Sequence, residues 1–155
     1  MPRKFLVVVD DSPEFETALR YAARRARSTG GRVALLRVIG HGSDAHWSGV
    51  RDEIDRQLRE EAEALLMRLG EEAADRSGAP PLFLIEEGDP LAALRKVVDE
   101  DPDIKILVLG AAPHGRGPGP LVSSIAKEGI RWGGRNLPVT VVPGELTDEE
   151  IADLA

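Results

Sequence analysis

Apolar residues fall along the chain in two alternating kinds of run. Short, nearly continuous and β-branched runs occupy residues 5–9, 33–39, 82–85, 104–109 and 139–142. Runs of that length and density predict strands buried on both faces of a sheet. Between them the apolar residues recur at helical spacing. Phe15, Ala18, Leu19, Ala22 and Ala26 form one such set. Val50, Ile54, Leu58, Ala62, Leu65, Leu69 and Ala73 form a longer one. Leu91, Leu94, Val97 and Val98 form a third, and a fourth helix is predicted over 122–130. The boundaries carry their own signals. Ser12 is placed as an N-cap, Pro13 suits a first helical turn, and Glu14 and Glu16 favour the positive end of the helix dipole. Gly30 and Gly31 stop that helix, and Asp89 caps a later one that opens on Pro90. Strands alternating with helices predict an α/β fold: an open, five-stranded parallel sheet with helices on both faces.

The last residues follow a different logic. Thr147 and Glu150 stand at the spacing of a capping box, and Leu146 and Ile151 at that of a hydrophobic staple. A short terminal helix is expected, docked through Ile151 and Leu154. The organisation is therefore one α/β unit over 1–144 and a helical tail over 145–155, with no internal repeat.

Composition narrows the classes of function. The 155 residues carry 20 basic and 27 acidic side chains, a formal charge of −7. That sign disfavours nucleic acid and anionic membranes as partners unless a basic patch intervenes. The basic run at 24–27 sits inside an amphipathic helical pattern and is not such a patch. The absence of cysteine removes disulfides, thiolate metal sites and cysteine nucleophiles. The first apolar run is too short for a membrane span or a signal segment. We read the chain as a cytoplasmic protein.

The stretch LGAAPHGRGPGPLVSSIAK, residues 109–127, concentrates the candidate chemistry. A P-loop would need Lys and then Ser or Thr where Arg116 and Gly117 stand, and prolines follow in place of a helix. A dinucleotide fingerprint would follow the first strand, where the chain has Asp10-Asp11-Ser12-Pro13 and no glycine. The same acidic pair is similar to that of receiver domains. However, the third strand run ends in Glu86-Glu87 and supplies no phosphoacceptor Asp. His41, Asp44 and His46 are read as a solvated loop in preference to a metal site, since no fourth ligand is evident. Trp47 and Trp132 are read as packing residues, Leu66 and Met67 as core or edge of the long helix. No serine elbow, cysteine or oriented histidine forms a catalytic constellation, so the chain is not read as an enzyme beyond weak ATP hydrolysis.

Several separated segments resemble the universal stress protein family in order and spacing. VVVDDSP looks like that family's opening Val-Asp-Gly-Ser stretch, with Asp11 in place of its glycine. ALLRVIG, IKILVLGA and LPVTVVPG are similar to its second, fourth and closing strands. The ATP-binding pattern Gly-x2-Gly-x9-Gly-[Ser/Thr] is met only in part. Gly110 matches the first glycine, Pro113 and Ser123 fall on the other two, and Ser124 matches the hydroxyl. Glycine lets a backbone present its amides close to a phosphate, and Pro113 has no amide to present.

The resemblance implies a sheet of order 3-2-1-4-5 and a ligand crevice at the switch between strands one and four. It implies a regulatory, homodimeric stress-response protein binding ATP or AMP, with magnesium accompanying the nucleotide. Asp10 would hold the ribose, with Asp11 and Ser12 beside it, and Asp10 and Asp11 are the possible magnesium ligands. Val38 would line the adenine side. Gly110, Ser123 and Ser124 would meet the phosphates, with Arg116 supplying positive charge. The dimer would close through the edge strand from Val139 to Val142. The alternative is a homodimeric interaction module of the same fold that binds no nucleotide.

Overall fold

The computed structural model describes residues 2–40, 48–112, 120–128, 131–132 and 134–155. Five parallel strands form its sheet: β1 (Lys4–Val9), β2 (Arg32–Ile39), β3 (Leu82–Glu87), β4 (Ile104–Ala111) and, at one edge, β7 (Val139–Pro143). The spatial order is β3-β2-β1-β4-β7. This is the expected 3-2-1-4-5 arrangement. The last strand takes a higher number because a two-stranded antiparallel ribbon, β5 (Arg131–Trp132) with β6 (Arg135–Asn136), precedes it. The apolar runs did not foretell that ribbon.

Every residue of β1 from Phe5 to Val9 is buried, as a central strand covered on both faces requires. Alternate side chains divide between two cores. Phe5, Val7 and Val9 pack with Phe15 and Leu19 of α1 (Glu14–Thr29) and Leu66 and Leu69 of α2 (Ser48–Ser77). Leu6 and Val8 face the other way, onto Leu94, Val97 and Val98 of α3 (Pro90–Glu100) and Ile125 of α4 (Pro120–Glu128). Each such side chain contributes on the order of 1.5–3 kcal/mol by leaving water.

Several local signals act as expected. Gly30 ends α1 in the left-handed conformation, φ 69°, where a side chain would be strained. Asp89 caps α3 by accepting the Ala92 amide at 3.0 Å. Thr147 and Glu150 form the reciprocal capping box of α5 (Asp148–Leu154).

Three expectations are corrected. Ser12 does not cap α1: Pro13 occupies the cap position with no side-chain bond, and the Ser12 hydroxyl turns back to Asp10. Ile151 is buried where α5 meets α1, but Leu154 is 58% exposed, so the tail docks through Ile151 and Leu146 and not through Leu154. In α2 the buried stripe runs through Ala62, Leu66, Leu69 and Ala73, while Val50 is half exposed. Toward the start of this thirty-residue helix the stripe is only partly covered, with Ile54 and Leu58 half-buried.

Candidate functional site

β1 and β4 are neighbours, yet their following helices leave to opposite faces of the sheet, and the crevice opens at their carboxyl ends. A cleft of about 420 Å³ lies there. Asp10, Asp11 and Ser12 supply its rim from the turn after β1. Arg37 and Val38 enter from β2, and Leu109 and Gly110 from β4. Leu121 and Val122 of α4 close the far wall. The size and the mixture of apolar wall with a few polar groups suit a small-molecule site.

Close packing fixes the position of α1 at the mouth. A Cβ on Gly110 would lie 2.7 Å from the Glu14 carbonyl oxygen, and one on Gly144 2.7 Å from the Glu14 Cβ. The first turn of α1 is thus wedged between two chain segments that carry no side chain. Thr17 secures it by donating its hydroxyl to the Gly144 carbonyl at 3.0 Å. Gly110 therefore has a packing role as well as a place in the cleft wall.

The polar groups of the rim are already organised. Asp10 Oδ1 accepts the Ser12 amide at 2.9 Å and the Ser12 hydroxyl, a local turn that holds the carboxylate in place. Arg37 donates to the Val9 carbonyl at 3.2 Å and to Asp11 Oδ1 at 3.3 Å. The Arg37 side chain is 21% exposed and that of Asp11 87%, so the ion pair contributes at most about 1 kcal/mol. Its chemical effect is larger. Arg37 is the guanidinium among three lining carboxylates, Asp10, Asp11 and Glu14. Among the described residues no cluster of three or more metal-ligating side chains forms, and Asp10 and Asp11 are engaged with Ser12 and Arg37.

The expected site residues divide three ways. Asp10, Asp11, Ser12, Val38 and Gly110 come together around one cleft. Ser123 and Ser124 sit in the second turn of α4, half-buried and outside the cleft's lining, which takes Leu121 and Val122 from that helix instead. Arg116, like Pro113 and the remaining glycines of the loop, lies outside the described residues. So do His41, Asp44, His46 and Trp47. Sequence reasoning missed Arg37. The signal was present: one arginine in the otherwise apolar VALLRVI must find a partner if the strand is central.

Comparison with known proteins agrees with this architecture. The family model described as the universal stress protein family matches residues 1–143. Universal stress protein Rv2623 of Mycobacterium tuberculosis is 28% identical over 149 residues, 90% of this chain and 47% of that protein. The chain thus spans about half the length of the curated relatives it matches. Universal stress protein UspA from Lactobacillus plantarum superposes with a TM-score of 0.71 at 22% identity, covering 91% of this chain and 96% of that one. An Arabidopsis thaliana family protein solved with AMP bound gives a TM-score of 0.60 at 19% identity, covering 96% and 95%. A universal stress protein in complex with cAMP gives 0.62 at 14%, covering 93% and 98%. With the sheet order, the crevice and a family match over nearly its whole length in agreement, the chain belongs to the universal stress protein family.

Proposed function

We propose that this chain is a regulatory adenine-nucleotide-binding protein of the stress response, acting in the cytoplasm with little or no turnover. Members of the family are generally regulatory rather than catalytic. The observation that carries the reading is the cleft at the β1–β4 switch point, where Asp10, Val38 and Gly110 share one wall system. The AMP and cAMP complexes of two proteins of similar fold support the ligand class.

In this reading the Asp10 carboxylate accepts the ribose hydroxyls, already steered by Ser12. Val38 lines the adenine side. The phosphate end lies toward Gly110 and the start of α4, with Ser123, Ser124 and Arg116 as the polar groups of that segment. Three carboxylates against one guanidinium make the described lining acidic, which disfavours a bare triphosphate. A monophosphate, or ATP carried with magnesium, is the better match.

A thermal melt with AMP, cAMP and magnesium-ATP tests the reading. Ligand at a hundred times its dissociation constant stabilises the native state by about 2.7 kcal/mol. For a chain of this length the melting temperature should rise by roughly 5–10 °C. Asp10→Ala should reduce the rise. No shift with any of the three at millimolar concentration would overturn nucleotide binding.

A second reading is favoured by a separate observation. β7 is an open sheet edge and its Val141 is 41% exposed. An apolar edge invites pairing, and a homodimer closed through 139–142 would remove it. Light scattering of wild type against Val141→Pro tests this, with a dimer expected only for wild type.

A further inference from the structure

A second concavity, of about 840 Å³, lies between α1, α2 and α5 and shares no lining residue with the cleft. Five arginines and four carboxylates, Glu71, Glu72, Asp75 and Asp148, line it, so it is slightly basic although the chain as a whole is acidic. Arg20, Arg24 and Arg27 project from one face of α1 at helical spacing, and Arg68 and Arg76 come from α2. Two of these five are already tied. Arg76 meets Glu72 at 3.2 Å, and Arg20 meets Glu72 at 3.5 Å and Asp148 at 3.9 Å.

Arg24, Arg27 and Arg68 make no ion pair or side-chain hydrogen bond with the described residues. Arg24 carries the clearest sign of a missing partner. Its Nε is enclosed by protein and has no hydrogen bond. A buried guanidinium N–H that is left unpaired has lost its hydration without recompense. The groove's other two carboxylates, Glu71 and Asp75, lie on α2, and among the described residues they form no ion pair with Arg24 or Arg27. Guanidinium forks match the oxygens of phosphate in pairs, and three unpaired ones in a single groove offer more donors than a single ion can use.

We propose that this groove binds a short phosphate chain, seated on Arg24, Arg27 and Arg68, with α5 forming one wall through Ile151 and Ala152. The chemistry is shared by inorganic polyphosphate and by the polyphosphate tail of a nucleotide. The test therefore uses tripolyphosphate and ATP as separate probes.

Calorimetric titration of the full chain with sodium tripolyphosphate should show saturable binding that weakens as salt rises. The double variant Arg24→Gln, Arg27→Gln should weaken it by at least about tenfold. Arg27 is exposed, so Arg27→Gln alone should leave folding intact and still weaken binding measurably. Asp10→Ala should leave tripolyphosphate binding unchanged while reducing the response to AMP, which separates this groove from the cleft. ATP binding that survives Asp10→Ala and falls with the arginine pair would assign the nucleotide tail as a ligand of the groove. The proposal is overturned if tripolyphosphate shows no saturable binding at millimolar concentration. It is equally overturned if binding survives the loss of both arginines, or disappears with Asp10.

Discussion

The two ends of the sheet use charge in opposite ways. At the amino ends of the strands, Lys4 pairs with Asp101 at 2.6 Å, and both side chains are largely covered. Arg135 on β6 spends its guanidinium on the carbonyls of Pro102, Ile104, Val98 and Asp101. It thereby satisfies carbonyls at the carboxyl end of α3, where a cation also complements the helix dipole. At the carboxyl ends, Asp10, Asp11, Glu14 and Arg37 face a cleft, and their mutual contacts are few and open to water. One end consumes its hydrogen-bonding capacity internally. The other leaves its polar groups facing the cleft.

The contrast predicts where substitutions act. Arg135→Ala removes a donor from four carbonyls, of which Asp101 keeps the Ile104 amide, and should cost about 2–4 kcal/mol in urea unfolding. The response to AMP should be unchanged once the fall in stability is allowed for. Gly110→Ala comes next, because its Cβ would meet the main chain of Glu14 rather than a flexible side chain. About 1–3 kcal/mol is expected, and here the AMP-induced shift should fall as well, since the first turn of α1 must move.

Asp101 offers a pH-resolved version of the same contrast. Burial pushes its carboxyl up, but the Lys4 hydrogen bond, the Asp103 amide and the charges of Lys4 and Arg135 together bring it below the ordinary carboxylate value. A carboxyl depressed on folding stabilises the native state at pH above its unfolded value of about 3.9. That contribution is lost as pH falls through the lower, folded value. Asp101→Asn should therefore cost about 1–2 kcal/mol at neutral pH and flatten the acid limb of a stability profile. A profile that keeps the wild-type slope would break the comparison. The smallest stability effect belongs to Arg37→Gln, less than about 1 kcal/mol. Its effect on the AMP-induced shift should exceed that of any change at the amino ends.

The legible and illegible parts of the molecule divide along similar lines. Strand positions, the Asp89 cap and the Thr147–Glu150 box were legible because each rests on residues within a few positions of one another. Asp10, Val38 and Gly110 were legible as neighbours only through the family's sheet order. Arg37 was not, because its meeting with Asp11 depends on the register that sets Val9 opposite Arg37 across β1 and β2. No local spacing encodes a contact between residues 26 positions apart. Ser12 misled for the opposite reason. It had a competing local partner in Asp10, and the shorter-range bond prevailed over the cap.

The wedge of Glu14 between Gly110 and Gly144 also bears on how the chain is made. Thr17 and Gly144, which lock that wedge, are 127 residues apart. During synthesis β1 can pair with β2 early, but its other side finds β4 only after residues 104–108 have emerged. Until then the central strand of the finished sheet is an exposed edge, and α1 lacks part of the surface that seats its first turn. Contacts so distant in sequence slow the search for the native state and lengthen the exposure of sticky intermediates. A nascent chain stalled near residue 100 should therefore be a preferred client for holding chaperones, and release past Gly144 should end that dependence.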